Sequence, residues 1–491
     1  MNVELDLPKP YSPHTKDLID YSQTCGLVEE RENFILLALS TLNKIACGVE
    51  SVSGSGKSVL TDILISLLPR HRVYNLGLTS NTATMYDYKA LNEADVVYIE
   101  ELQKAMTSNN PIVVELLKNM TEGKKLTRKV YDSVSKTIIQ HSIKGDLGVV
   151  YSLALENKQK KDEELHRRVI TFMTDISQKQ NRRVVQHIGK TRFNKKRLRV
   201  QSSDTTKNLM AHINTVMDLS KNEVENPFAE YISEQVPVPF TIVRSYMRHY
   251  FNLVDGSTKF HFKERLMKED RLFSSIQDVY NIHILYGSVF NQKIHQLPQL
   301  GIAIMKVFTD ETKGYKKNEE RQQQQLFTEE DEWNKRYLDV SQIHKSLKDK
   351  GILLKHKIIS DQCDMLIEAG FLGKEPSGRK NLYYKTDEVE EFEDKFDFKA
   401  CMDAGIANMQ EHYPEFLEDW LVSQENGKGD VNLYHPITGE ITLLSEYVVK
   451  LKETIEHALK KNTFKEKIKD DPNRSPFKTE YIEEVVEDEK N

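Results

Sequence analysis

Cysteine is scarce in this chain: 4 in 491 residues, at Cys25, Cys47, Cys363 and Cys401. None forms a close pair, and none stands with His at zinc-ligand spacing. A disulfide framework is excluded, and a reducing compartment such as a cytoplasm fits best. Long apolar runs are missing too. No stretch is long enough to span a membrane, and the opening "MNVELDLPKPYSPHTKDLIDYSQ" lacks an apolar signal core. Positive charge is not in excess: 69 Lys and Arg face 75 Asp and Glu, for a net charge of -6. Attraction to nucleic acid, if present, must therefore be local. Internal repeats are absent.

At 491 residues the chain exceeds one compact core, and two or three domains are expected. Residues 1–43 read as a Pro-containing arm followed by helices. From "KIACGVES" short apolar runs alternate with helical patterns, which predicts a three-layer α/β domain with a mostly parallel sheet over 44–178. Within it "LTRKVYD" and "KTIIQHSI" read as a hairpin. A basic segment and a helical region follow over 179–315, with helices expected from Phe240 to Phe290. Lys179 to Arg199 holds nine Lys and Arg and no acidic residue. It reads either as a phosphate-tracking patch or as a solvated face. Residues 316–335 are a polar linker. Over 336–386 the order is helix, helix, hairpin, as in a winged helix-turn-helix. Residues 387–491 form an acidic C-terminal region, in which "HPITGEIT" signals a turn between short strands.

The richest motif is "SVSGSGKSVL", Ser51 to Leu60. A phosphate-binding loop needs bare backbone N–H groups converging at a helix N-terminus. Gly54, Ser55, Gly56 and Val59 fit that backbone, Lys57 would reach the β- and γ-phosphates of ATP, and Ser58 would hold Mg²⁺. Ser51 stands where the pattern opens with glycine. Downstream, "VVYIEE" supplies an acidic pair at a strand end. Glu100 would bind Mg²⁺ through water, and Glu101 would polarise the attacking water.

"SGSGKS", "VVYIEE", "ELLKNMTEGKKLTRKVYD", "GVVYSLALEN" and "EELHRRVITFMTDISQKQ" follow one another in order. Together they resemble the ATPase core of AAA+ proteins, and most of all the superfamily-3 and MCM-like helicase ATPases found with primases in phages, plasmids and archaeal mobile elements. The likeness covers about residues 44–192 and, more weakly, the helical stretch to about Gly287. It implies a P-loop core with a helical lid, followed here by the winged helix-turn-helix and an α+β tail. It also implies a polar sensor at Ser152 (or Asn157), a trans-acting arginine at Arg168 beside Arg167, and a lid arginine at Arg265. A trans-acting arginine implies a homo-oligomeric ring. A primase or other replication partner is implied as well, although no primase catalytic constellation is evident here.

In the resembled helicases the hairpin projects into a pore and grips single-stranded DNA. Lys125, Thr127 and Lys129 fall on one face and Arg128 on the other; they contact phosphates or merely solubilise an exposed hairpin. In the winged helix, Lys357 near the start of the second helix and Arg379 and Lys380 in the wing are candidate duplex-DNA contacts. The leading expectation is an ATP-dependent DNA-acting motor of replicative helicase type. The alternatives are a DNA-binding regulator or loader that uses ATP as a switch, and a small-molecule kinase.

Overall fold

The computed structural model describes residues 13–76, 87–102, 111–132, 136–154, 167–193, 204–238, 242–294, 299–309, 337–349, 352, 354–368, 370–378, 380–386, 396–424 and 430–445. Two helices open it, α1 (Thr15–Thr24) and α2 (Arg31–Leu42). Every residue of α2 from Phe34 to Leu42 is buried. A helix apolar all round must sit inside, and α2 lies between the central sheet and the long helices that follow it.

The α/β region then runs β1 (Cys47–Ser51), α3 (Lys57–Leu67), β2 (Val73–Asn75), α4 (Tyr88–Glu93), β3 (Val96–Ile99), α5 (Pro111–Thr121), β4 (Leu126–Asp132), β5 (Thr137–Ile143), β6 (Gly148–Ala154) and β7 (Ile170–Phe172). Five of these strands form a parallel sheet in the order β2-β3-β6-β1-β7. β1 and β3 are buried along their whole length, as strands covered on both faces must be. One face packs on α2 and α3, the other on α4 and α5. β4 and β5 form a separate antiparallel hairpin.

Beyond the sheet come α6 (Gln178–Phe193), α7 (Asp204–Asp218), β8 (Glu223–Glu225), α8 (Ala229–Gln235), α9 (Val243–Phe260), β9 (Met267–Lys268), β10 (Arg271–Phe273), α10 (Ile276–Ile294) and α11 (Gln299–Thr309). The stretch expected to be helical from Phe240 to Phe290 is thus broken by strands, and β8-β10-β9 is a small sheet of its own. Strands of two or three residues are too short to show alternation. Gly256 lets α9 approach α2 closely, since a Cβ there would lie 2.6 Å from the Leu39 carbonyl oxygen.

Next come α12 (Val340–Asp349), α13 (His356–Glu368), β11 (Leu372–Ser377) and β12 (Lys380–Lys385), two helices and an antiparallel hairpin sharing a core with α11. Last are α14 (Phe398–His412), α15 (Leu417–Gln424), β13 (Asn432–Tyr434) and β14 (Ile441–Leu443). These elements join the main core. Trp420 is fully buried and donates from Nε1 to the Ser274 carbonyl at 3.0 Å, and Phe398 packs edge-on against Tyr280. Asp397 caps α14 by accepting from the Lys399 and Ala400 N–H groups. Among the described residues no helix is long and apolar enough to cross a membrane.

Candidate nucleotide site

The loop begins where β1 ends. Ser51 is the last residue of that strand, buried and paired in register with Ala154. Its backbone is not in the left-handed region, so glycine is not required there. The turn that does need glycine comes later. Gly54 has φ +78° and Gly56 has φ +91°, and no neighbouring atom lies near the position of an added Cβ at either. The need for glycine is therefore conformational. α3 starts at Lys57, and its open N-terminal N–H groups face the loop.

Lys57 is buried, and its Nζ donates to the Val52 carbonyl at 2.6 Å. Burial pulls its pKa below the ordinary lysine value. The Ser55 Oγ is buried without a hydrogen-bond partner. A left-handed glycine pair, a lysine folded onto its own loop and an orphaned hydroxyl fit a phosphate chain. Among the described residues no group of three or more His, Cys, Asp or Glu is arranged to hold a metal ion. Ser58, exposed at the second position of α3, and Glu100 could share an ion carried mostly by phosphate and water.

Glu100 and Glu101 follow directly on β3, Glu100 exposed and Glu101 half-buried. β6 lies between β3 and β1. The acids therefore stand two strand spacings from the loop strand, about 10 Å, wide enough for a phosphate and a water. Ser152 sits on β6 between them, level with Val49 of β1, and donates to the Glu100 carbonyl. The carboxyl ends of these three strands thus gather Lys57, Ser58, Ser152, Glu100 and Glu101. That end of an open parallel sheet is where ligands bind in such folds.

Two tyrosines missed in the sequence hold this geometry. Both strands read V-V-Y, and the two rings go to opposite faces. Tyr98 of β3 donates to Asp62 Oδ1 of α3 at 2.8 Å and lies 3.1 Å from the Thr61 hydroxyl. Tyr151 of β6 lies over Gly48, where an added Cβ would fall 2.2 Å from the ring, and donates to Glu50 Oε1 at 2.9 Å.

The arginines lie elsewhere. Arg168 precedes β7, whose Ile170 is level with Cys47. That puts it at the amino end of the sheet, six residues or roughly 20 Å of strand from Ser51. It ion-pairs with Glu122, and its Nη1 is 3.4 Å from the Lys118 carbonyl. Arg167 beside it is exposed, and Asn157 lies outside the described residues. Arg265 is buried and bidentate on Asp278, with Nε to Oδ2 at 2.7 Å and Nη2 to Oδ1 at 3.0 Å. Burial alone would raise the Asp278 carboxyl. Arg265 and His261 outweigh it and hold that carboxyl far below the usual range. Ser257, Thr258 and Ser275 complete the network. Arg265 is thus committed to the packing of α9 on α10.

The β4–β5 hairpin is moored at its base. Asn92 of α4 donates to the Ser142 carbonyl and accepts from the Lys144 N–H, both at 2.8 Å, and Tyr88 packs on His141. Lys125, Thr127 and Lys129 are exposed on one face; the Arg128 backbone pairs opposite His141, and its side chain is outside what the structure describes. The same face ends in a cross-strand pair the sequence reading missed, Tyr131 and Ile138, 63% and 69% exposed. On the helix–helix–hairpin unit Lys357 is exposed, Lys380 pairs with Asp339 at 2.8 Å, and Arg379 lies outside the described residues.

No protein-family model matches the sequence. No curated protein matches it either. Among solved structures, the chain is similar to a Cytophaga hutchinsonii protein described as a "putative ATPase". The TM-score is 0.32 at 11% identity, over 55% of this chain and 84% of that one. It is also similar to the apo C-terminal region of NrS-1, with TM-score 0.26 and 10% identity over 79% of each chain. Likenesses at these scores carry no argument about function.

Proposed function

We propose that the chain hydrolyses ATP with Mg²⁺ and uses it to move on DNA, as a ring of identical copies of AAA+ type. The observation that carries this reading is the strand order β2-β3-β6-β1-β7, which gathers loop, acidic pair and Ser152 at one end of one sheet. Lys57 leaves the Val52 carbonyl for the β- and γ-phosphates, and Ser58 and Glu100 hold the metal. Glu101 orients the attacking water, and Ser152 fixes the strand end that carries the acids. Arg168, roughly 20 Å from its own loop, is suited to a neighbour's γ-phosphate, where it would stabilise transition-state charge. The hairpin's lysines suit sequence-independent contact with a single strand. The α12–α13–hairpin unit is read as a winged helix-turn-helix; its Lys357, Arg379 and Lys380 are the weakest of the DNA contacts, since Asp339 already neutralises Lys380.

Hydrolysis measured with and without single-stranded DNA, together with unwinding of a forked duplex, tests the reading. Stimulated hydrolysis that disappears in Lys57→Ala supports the motor. Duplex binding that never stimulates hydrolysis supports a regulator instead. Full hydrolysis by Arg168→Ala as a dilute monomer would remove the trans role.

A further inference from the structure

Two helix faces expose apolar side chains that no described residue covers. On α6, Val185 and Ile188 are 67% and 59% exposed, flanked at helical spacing by Arg182 and Arg192. Lys179 and Lys190 are exposed on the other side of the helix, and α6 has no acidic residue. Arg183 is taken by Glu29 at 3.1 Å, but none of the other four has an ion pair among the described residues. On α13, Ile358 and Met365 are 42% and 48% exposed and alternate along one stripe with Asp361 and Glu368. Asp364 beside them is used by Lys374 at 3.1 Å. Lys357 is an exposed cation at the edge of the stripe.

The stripes match in length and oppose in charge. Arg182 to Arg192 and Ile358 to Glu368 each span eleven residues, about 15 Å of helix from end to end. One carries two apolar groups between basic ones, the other alternates apolar and acidic groups. Both remain exposed, so they do not cover each other within a chain. A nucleic-acid backbone would engage the Arg and Lys of α6 but leave Val185 and Ile188 wet. An acidic–apolar helix satisfies both. We propose that α6 of one copy docks on α13 of the next.

The contact is head-to-tail. Each copy offers one donor face and one acceptor face, so the arrangement closes as a ring or extends as a filament. It gives the ring reading above its contact surface, yet it rests on exposure and charge and not on hydrolysis. A single helix pair buries less than the roughly 800 Å² per partner of a stable interface. An isolated dimer is therefore weak, and closure, which holds each copy from both sides, supplies the stability.

Sedimentation velocity of the full chain at low salt tests this without any nucleotide. The wild type is expected to form species larger than a dimer that dissociate as salt rises. Val185→Asp and Met365→Asp should each abolish assembly while keeping the wild-type melting temperature, because both side chains face water. The decisive sample is their equimolar mixture. It retains one good α6 face and one good α13 face, so at high protein concentration, where a single weak contact is populated, it should give a heterodimer and nothing larger. Arg192→Glu should dissociate, and Arg192→Glu combined with Glu368→Lys should reassemble. A mixture that stays monomeric even at protein concentrations that populate one weak contact, or single variants that assemble like the wild type, would overturn the proposal. So would a Val185→Asp chain that keeps its mass but loses binding to an oligothymidylate, which would make α6 a nucleic-acid surface. Assembly that behaves as expected alongside absent ATP hydrolysis would leave this interface standing and sink the motor.

Discussion

Replacing Arg265 by Met separates a structural arginine from a nucleotide-sensing one. The guanidinium makes two hydrogen bonds to Asp278, which is fully buried, and the Met side chain fills much the same volume without charge. Removing one partner of a buried pair costs about 3–5 kcal/mol, because the other charge is left without its counter-ion. At about 2–4 °C per kcal/mol, the melting temperature should fall by about 6–20 °C near pH 8. The pH dependence has a definite sign. In the wild type the folded Asp278 carboxyl is depressed, so its contribution is fully present above the unfolded value of about 3.9 and is lost only on strong acidification. It is therefore flat between pH 5 and 8. In the variant, burial dominates and raises the folded pKa. Stability is then lost as pH rises from the unfolded value, by up to about 1.36 kcal/mol per unit, until the raised value is passed. The gap between variant and wild type should thus be largest at pH 8 and narrow towards pH 5. Thermal melts by circular dichroism across this range measure it. A gap below about 1 kcal/mol at pH 8 would refute the buried-pair argument, and so would one that does not change with pH. Loss of hydrolysis with an unchanged melt would return Arg265 to the nucleotide.

Gly48→Ala should destabilise the chain by about 1–3 kcal/mol through overpacking against Tyr151, read in urea titrations; in a Tyr151→Ala background the same substitution should cost less. Trp420→Ala should cost about 3–5 kcal/mol and expose the α10 core to protease, although residue 420 is far in sequence from the nucleotide loop; limited proteolysis reads it. Lys125→Ala with Lys129→Ala should lower the slope of log K against log salt for single-stranded DNA by about 1.4, two contacts at roughly 0.7 each. An unchanged slope would mean that those lysines only solubilise the hairpin.

The elements near the loop could be read along the chain because their signals are local. Gly54 and Gly56 announce a left-handed turn, and the apolar spacing after them announces α3. The strand order could not be read, since alternation reveals strands but not neighbours. That β6 intervenes between the acids and the loop emerges only from the folded sheet. Ser51 looked like a departure from pattern because the motif counts it as loop, whereas the chain uses it as strand. Arg265 matched a lid arginine by residue type, but its partner lies thirteen positions on in another helix, where no short motif looks. Tyr98 and Tyr151 were read only as strand residues, because their role depends on what lies across the sheet. The acidic C-terminal stretch hid Phe398 and Trp420, two core anchors too widely spaced to form a periodic face.

α1 and the β13–β14 turn are stitched together. Thr15 Oγ1 donates to the Pro436 carbonyl at 2.7 Å, and the His14 ring stacks on Tyr434 at 5.3 Å. Residues more than four hundred positions apart are thereby neighbours on a single patch of surface. A tag, reporter or anchoring group fused before α1 and another fused after β14 would sit side by side. Closing the chain there with a short linker and reopening it at an exposed turn, such as that between β11 and β12, should leave the nucleotide sheet undisturbed.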